Sequence, residues 1–273
     1  MQFGLCAMTR LDLVYQAASW GFDYVDIAGP MLVPLETDRV WQEQRRRIED
    51  TGARVEGLNS FMPAEASFVG PAVDWSRVTD YLDTAISRAA EIGIHNITWG
   101  SAAAKSVPDG WSMAAAFEQV ERASHLIADL AGKNGLTVVI EPINPRECNI
   151  MYYVTDALHL ARVVGRPEIR VLADYYHMML QNEPLEHIMT AREYLAYTHT
   201  ADLDRVFPAL GVWDQRPFLT YLRRAGYDGN LSFESWTVAG DFGAAARESL
   251  ARMRSLWADV ERDVAPGEGV EQS

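Results

Sequence analysis

The sequence predicts an α/β fold in which eight parallel strands, each followed by a helix, close into a single barrel. The chain has 273 residues, which suits one barrel domain of this type. Short apolar runs alternate with longer segments whose apolar residues recur at helical spacing along the whole chain. Because this unit repeats more often than in a small open parallel sheet, the pattern favours a closed (β/α)8 barrel over a doubly wound sheet.

The predicted strands are short apolar runs, most of which finish on a polar residue. They are Phe3–Ala7, Tyr24–Ile27, Val55–Asn59, Asn96–Trp99, Thr137–Glu141, Val171–Asp174, Leu195–His199 and Asn230–Glu234. Between them, Trp75–Ile92 and Phe117–Lys133 are typical of the predicted helices because their apolar residues follow the helical period. Glycines such as Gly21 and Gly135 mark the breaks between a helix and the next strand, as in helix C-caps.

The chain reads as one domain. It contains no linker rich in proline, glycine or serine, no low-complexity tract and no sequence repeat, so residues 1–260 are predicted to form one catalytic domain. Residues 261–273 become acidic and glycine-containing, which predicts a flexible C-terminal tail.

Composition excludes several classes of protein. The net charge is −14, and an acidic surface of this kind repels phosphate backbones, so no nucleic-acid partner is expected. Cys6 and Cys148 are far apart, which argues against a disulfide framework or a structural zinc site and favours a cytoplasmic location. The N-terminal segment lacks the features of a signal peptide, and no apolar run is long enough to predict a membrane span.

Four consecutive predicted strands each finish with a side chain that can bind a metal ion: Glu141, Asp174, His199 and Glu234. A lone carboxylate at a strand end is commonly a helix cap or an ion-pair partner. In a barrel, however, the carboxyl ends of all strands meet at one rim. Three carboxylates and one imidazole form an oxygen-rich set that suits Mn²⁺, Mg²⁺ or Co²⁺, so the sequence predicts a divalent metal site there.

The motifs around these residues resemble a known family. They are E-P-I-N-P-R-E at 141–147, L-A-D-Y-Y-H at 172–177, H-T-A-D-L-D-R at 199–205 and S-F-E at 232–234. Together they resemble the sugar phosphate isomerase/epimerase family, which includes ketose 3-epimerases, hydroxypyruvate isomerases and the catalytic subunits of C-glycoside deglycosidases. The openings FGLCAM and GFDYVDI are also similar, so the resemblance spans most of the chain. It implies a xylose-isomerase-like TIM barrel.

The resemblance also implies a metal centre formed by Glu141, Asp174, His199 and Glu234, with Mn²⁺ as the first expectation and Mg²⁺ or Co²⁺ as alternatives. Glu141 and Glu234 would act as acid and base on opposite faces of the substrate. Such chemistry removes a proton beside a carbonyl and passes through an enediolate, whose negative charge a cation stabilises.

Three further residues match family positions that contact substrate oxygens: Glu147, His177 and Arg205. The resemblance gives His177 a catalytic role as well, as a donor that polarises or holds an oxygen. Each residue also has a plainer interpretation. His177 could be a structural histidine, Arg205 a surface ion pair with its acidic neighbours, and Glu147 a partner of Arg146.

Tryptophans near the predicted strand ends are candidates for contacting a sugar, since an aromatic ring buries the apolar C–H face of a sugar well. Trp99, Trp111 and Trp236 are the candidates, although each could instead pack in the core. The absence of a basic cluster or a glycine-rich phosphate loop favours an unphosphorylated substrate. The loops that follow Trp99 and Arg205 differ from those of relatives, which leaves the specific sugar open.

The leading functional prediction is a metal-dependent sugar isomerase or epimerase of the ketose 3-epimerase type. The alternative is a lyase that uses the same proton abstraction on a 3-keto-glycoside and breaks a carbon–oxygen or carbon–carbon bond. A homo-oligomer is expected in the first case, and a hetero-oligomer with a small subunit in the second. An endonuclease IV-like enzyme is disfavoured by the acidic charge. A non-catalytic sugar-binding barrel is disfavoured because binding alone does not require both Glu141 and Glu234.

Overall fold

The computed structural model describes residues 1–266 and contains the predicted closed barrel of eight parallel strands. The strands are β1 Gln2–Met8, β2 Tyr24–Ala28, β3 Val55–Asn59, β4 Asn96–Trp99, β5 Thr137–Ile140, β6 Ile169–Asp174, β7 Leu195–Thr200 and β8 Asn230–Phe233. Each strand pairs with its neighbours in chain order, and β1 pairs with β8 from Gln2↔Asn230 to Leu5↔Phe233, which closes the barrel.

Helices follow the strands and cover the outside of the barrel, as the alternating pattern predicts. Within residues 1–266 they are α1 Leu11–Trp20, α2 Asp38–Glu49, α3 Trp75–Glu91, α4 Ala102–Lys105, α5 Met113–Asn134, α6 Val154–Val164, α7 Tyr175–Leu180, α8 Glu186–Ala191, α9 Arg216–Arg224 and α10 Phe242–Asp263. Gly21 and Gly135 end α1 and α5 in the left-handed conformation, with φ of 98° and 70°, which glycine adopts without a steric penalty.

The C-terminal boundary differs slightly from the predicted one. Helix α10 continues to Asp263, so the predicted domain end at residue 260 falls inside its last turn. Residues 267–273 of the predicted tail lie outside the described residues. No helix within residues 1–266 is both long enough and apolar enough to cross a membrane.

Two strands end one residue earlier than predicted, and this places two candidate acids just beyond the sheet. β5 ends at Ile140 and β8 at Phe233. The backbone N–H of Glu141 nevertheless donates to Trp99 O at 3.3 Å, and that of Glu234 donates to Thr200 O at 2.9 Å. Both acids are therefore held by hydrogen bonds to the neighbouring strand.

The interior of the barrel contains a buried polar layer. Tyr24 on β2 and Tyr197 on β7 come from strands that are not neighbours, yet their rings contact each other across the barrel, with centroids 6.4 Å apart. The Tyr197 hydroxyl donates to Asp26 Oδ1 at 2.8 Å. Gly57 makes room for this carboxylate, since a Cβ there would stand 2.4 Å from Asp26 Oδ1. Burial raises the pKa of Asp26, and the hydroxyl partner partly offsets that effect,.

Candidate metal centre and adjoining cavity

The four side chains predicted to bind a metal come together at the carboxyl ends of β5 to β8. Glu141, Asp174, His199 and Glu234 each place one ligand atom so that all four atoms lie within 4.8 Å of one another. All four residues are buried. The convergence follows from the parallel barrel, which brings the ends of neighbouring strands to the same rim although the residues lie far apart in the chain.

His199 lies between two of the carboxylates. Its Nδ1 atom is 2.9 Å from Glu141 Oε1 and 3.7 Å from Glu234 Oε2. Its other ring nitrogen, Nε2, is buried and has no hydrogen-bond partner among the described residues. A carboxylate oxygen of Asp26 also lies within 4.8 Å of a ring nitrogen of His199. An acidic neighbour of this kind commonly orients a histidine that binds a metal.

Burial and neighbouring charges shift the pKa values of the side chains in this cluster. Burial raises the pKa of Asp174 to about 7; the charge of Arg205 opposes that shift, and Glu234 adds to it,. Burial by itself would lower the pKa of His199, but the hydrogen bond and negative charge of Glu141 raise it to about 9. A divalent cation would relieve the repulsion among the buried carboxylates. Since the donors are three carboxylates and one imidazole, the set fits a hard divalent metal ion.

A cavity of about 270 Å³ adjoins the cluster. Glu141 and Glu234 line it, together with all three residues that the motifs single out for substrate contact, Glu147, His177 and Arg205. The structure therefore brings these five residues to one space. At about 30 Å³ for each molecule of liquid water, this volume equals that of roughly nine waters, which is enough for one monosaccharide.

Arg205 lies between the cavity and the candidate metal cluster. Its Nη1 atom is 2.7 Å from Glu234 Oε2 and 3.4 Å from Asp174 Oδ2. The guanidinium lies 3.7 Å from the centroid of the Tyr176 ring and 5.0 Å from that of Trp236, an arrangement that adds cation–π attraction. Arg205 is only 6% exposed, so the interpretation as a surface ion pair does not describe it. Its positive charge faces the cavity.

His177 is buried beside the positive charge of Arg205. Burial lowers its pKa well below the usual value, and the adjacent Arg205 lowers it further,. Its Nδ1 atom is 2.8 Å from Asn144 Nδ2. Its Nε2 atom is 3.3 Å from Arg205 Nη2, which can only donate, and 3.5 Å from Asp174 Oδ2,. Each ring nitrogen of His177 therefore faces an N–H donor, from Asn144 on one side and from Arg205 on the other.

Asn144, which the sequence analysis did not identify, also positions Glu147. The same amide nitrogen donates to Glu147 Oε1 at 2.8 Å. Glu147 forms no ion pair with Arg146 in the part of the chain that the structure describes. Asn144 lies inside the E-P-I-N-P-R-E motif, so its position between two candidate acids was the available signal.

The sequence profile of the xylose isomerase-like TIM barrel family matches residues 14–256. The chain belongs to this family. Its members share the barrel described above, and the resemblance to sugar phosphate isomerases and epimerases drawn from the motifs is confirmed.

Curated relatives of this family member are sugar epimerases. A ketose 3-epimerase from Arthrobacter globiformis is 28% identical over 88% of this chain and 82% of its own length. A 3-dehydro-D-guloside 4-epimerase from Escherichia coli (strain K12) is 24% identical over 86% of this chain and 90% of its own length. The crystal structure of D-psicose 3-epimerase with D-tagatose from Clostridium cellulolyticum H10 is 18% identical, has a TM-score of 0.81 and covers 94% of this chain and 99% of that chain. This last likeness concerns the fold.

The three candidate tryptophans have different positions in this barrel. Trp236 lines the cavity and is 51% exposed. Trp99 is fully buried and packs against Phe68, with ring centroids 5.4 Å apart. Trp111 donates from its indole N–H to Gln119 at 3.2 Å and does not line the cavity. The expectation that Trp99 and Trp111 contact substrate is therefore corrected: both rings pack against protein, and only Trp236 of the three reaches the cavity.

Gly100 and Lys105, which both follow β4, shape the site although no sequence motif identified them. A Cβ atom at Gly100 would stand 2.2 Å from Glu141 Oε2, so the glycine makes room for that carboxylate. Lys105 is fully buried, and its ammonium donates to the backbone oxygen of Glu141 at 3.0 Å. Burial lowers the pKa of Lys105. Both residues position Glu141, and both depend on how the loop folds back over the barrel.

Proposed function

We propose that this protein is a divalent-metal-dependent sugar epimerase that abstracts a proton next to a carbonyl, in the manner of a ketose 3-epimerase. The observation that carries the proposal is the pair Glu141 and Glu234. These acids directly follow β5 and β8, line the same cavity and belong to the same four-residue cluster. A barrel that only binds sugars does not require two such acids beside one another.

The proposed metal ligands are Glu141, Asp174, His199 and Glu234. We propose Mn²⁺ as the ion, with Mg²⁺ or Co²⁺ as alternatives, because the donors are mainly carboxylate oxygens,. When bound, such a cation stabilises negative charge that develops on a substrate oxygen by several kcal/mol.

Each side chain of the site has its own role in the proposed reaction. One of Glu141 and Glu234 removes the proton from the carbon next to the carbonyl, and the other returns a proton to the opposite face, which inverts that carbon. Proton transfer by a positioned carboxyl group typically accelerates such a step by about 10²–10⁴-fold. His177 contacts a substrate oxygen, Arg205 adds its positive charge, and Glu147 accepts from a hydroxyl.

The curated relatives narrow the substrate without naming it. One is named for a ketose and another for a 3-dehydro-guloside, so we propose a carbonyl sugar, either free or substituted. A lyase acting on a 3-keto-glycoside would use the same proton abstraction and stays the alternative. A cytoplasmic location stays a prediction, as does a homo-oligomer, or a complex with a small subunit in the lyase case.

Proton exchange in D₂O tests the proposal. The Mn²⁺-loaded protein is incubated with free ketoses in one tube and with a 3-keto-glycoside in another, and both are followed by NMR. Deuterium at the carbon next to the carbonyl, together with the appearance of an epimer, is the expected result. Aglycone release would instead assign the lyase, and the absence of exchange in every tube, despite bound Mn²⁺, would contradict both.

A further inference from the structure

A second and larger cavity lies beside the catalytic one. Its volume is about 500 Å³, and it is formed between the segment after β2 and the segment after β3. We call it the β2–β3 groove. Its lining includes Pro30, Val33, Leu35, Met62, Pro63 and Tyr81. Ser60 and Met62 line both this groove and the catalytic cavity, so the two spaces adjoin.

The segment after β2 forms one wall of the groove, which we call the outer wall, and one buried guanidinium holds it in place. Arg88 on α3 is 4% exposed and donates to the backbone oxygens of Leu32 at 3.1 Å and Glu36 at 3.0 Å, as well as to that of Val33. Val33 has a φ of 41°, which is a costly conformation for a β-branched residue. The hydrogen bonds from Arg88 hold the backbone on both sides of Val33.

The segment after β3 forms the other wall, which we call the inner wall, and hydrogen bonds connect it to the lining of the catalytic cavity. The Tyr81 hydroxyl donates to Phe61 O at 2.7 Å, and the Met62 backbone N–H donates to Ser101 Oγ at 3.0 Å. Ser101 lines the catalytic cavity. Ser60, at the junction, is held at a φ of 46°. The groove is therefore preformed, which lowers the entropic cost of ordering it around a ligand.

The chemistry of the lining indicates what fits there. Proline, valine, leucine and methionine side chains and a tyrosine ring supply most of the surface, and Leu35 is 62% exposed beside it. The charged residues in the lining are Glu36 and Glu65. Such a surface favours an apolar, uncharged group and disfavours an anion.

We propose that the β2–β3 groove binds an apolar aglycone attached to the carbonyl sugar whose ring occupies the catalytic cavity. The catalytic cavity of about 270 Å³ accommodates one monosaccharide, and the adjoining groove of about 500 Å³ accommodates a substituent such as an aryl group. The substrate class is then a keto-glycoside whose aglycone is an aryl group or another apolar group larger than methyl. This inference rests on the proposed function, because the proposed proton abstraction places the sugar in the catalytic cavity.

Paired substrates test the groove. The Mn²⁺-loaded protein is offered phenyl 3-keto-glucoside and methyl 3-keto-glucoside, and deuterium exchange gives kcat/KM for each. We expect the phenyl compound to be favoured by about tenfold, since burying an aryl group removes apolar area from water. A ratio near one in the wild-type protein would overturn the proposal.

Leu35 variants provide the matched comparison. Leu35→Ala removes apolar contact and is expected to lower the phenyl-to-methyl ratio about fivefold, and Leu35→Trp, which fills the groove, is expected to lower it further. Because Leu35 is largely exposed, neither change empties the core. Val163→Ala, at a 47% exposed position on α6, leaves the ratio unchanged. Leu35 variants that behave like Val163→Ala would contradict the inference.

Two further measurements separate this inference from the proposed function. In the first, saturation transfer from the protein to the phenyl protons is seen and Leu35→Trp abolishes it, but no sugar exchanges deuterium. That result would support binding in the groove and contradict the epimerase proposal. In the second, both glycosides exchange deuterium but no saturation transfer reaches the phenyl protons. That result would support the proposed proton abstraction and contradict binding in the groove. A 4-carboxyphenyl glycoside is expected to bind more weakly than the phenyl compound, and Glu65→Gln to restore part of the loss; equal binding would count against the acidic lining.

Discussion

The two halves of the barrel offer a ligand different kinds of interaction. The half from β5 to β8 supplies the charged groups, namely the four-residue candidate metal cluster and the side chains of His177 and Arg205. The half from β2 to β4 supplies the mainly apolar β2–β3 groove and the turns at Ser60 and Ser101. The proposed chemistry and the proposed recognition of a substituent therefore fall on different halves of the barrel. Changes to the side chains of the β5–β8 half should reduce turnover, and changes in the β2–β3 groove should alter which substituent on the sugar is preferred.

The largest expected effect is at the two acids. Glu141→Gln and Glu234→Gln keep the side-chain shape but remove the ability to exchange a proton, so deuterium exchange should fall by about 10²–10⁴-fold. Circular dichroism should stay that of a folded barrel. Glu248→Gln, at an exposed ion pair with Arg252, is the matched control and should exchange at the wild-type rate. Retained exchange in either acid variant would remove the two-base scheme.

The next effect concerns the metal. Asp174→Asn removes one buried carboxylate from the cluster, and we expect Mn²⁺ affinity to fall at least about tenfold. A ligand at 100 times its Kd stabilises a fold by about 2.7 kcal/mol, so Mn²⁺ should raise the Tm of the wild-type protein and raise that of the variant much less. The exposed Asp12→Asn serves as the control. Equal metal content in both variants would contradict the role of Asp174.

Gly100→Ala tests whether the first half shapes the second. The added Cβ would stand 2.2 Å from Glu141 Oε2, so this carboxylate must move, and a displacement of about 1 Å can cost roughly 100-fold in rate. Gly52→Ala makes a useful contrast, because Gly52 has a φ of 66° and nothing within 4 Å of an added Cβ. That change should lower stability without slowing exchange. Similar kinetics for the two variants would show that Gly100 has no special role.

The smallest expected effect lies where the halves meet inside the barrel. Tyr197→Phe removes the hydroxyl that donates to Asp26 Oδ1 at 2.8 Å. Leaving a buried carboxylate with one partner fewer should lower the free energy of unfolding by about 1–3 kcal/mol, measured by urea denaturation. Tyr15→Phe, at a 68% exposed position, should change it very little. If both variants unfold alike, the buried polar layer contributes nothing measurable.

The Trp99 and Trp111 predictions show where local sequence reasoning stops. Trp99 is the last residue of β4, Trp111 lies between α4 and α5, and Trp236 follows β8. Trp99 nevertheless packs with Phe68, and Trp111 hydrogen-bonds Gln119. Which way a large ring points depends on the side chains that other elements bring to it, and those contacts are not encoded in the spacing along one strand.

The sequence by itself determined the closed barrel and the four metal-binding candidates. The reason is that alternating apolar runs specify strands and helices locally, and parallel strands in a barrel must bring their carboxyl ends to one rim. Only the tertiary structure decided the supports of Glu141, namely the space at Gly100 and the ammonium of Lys105. It also decided the β2–β3 groove, because the buried Arg88 of α3 holds the loop after β2 from a position more than fifty residues along the chain. Contacts of that range arise from packing between elements, which no local pattern of residues records.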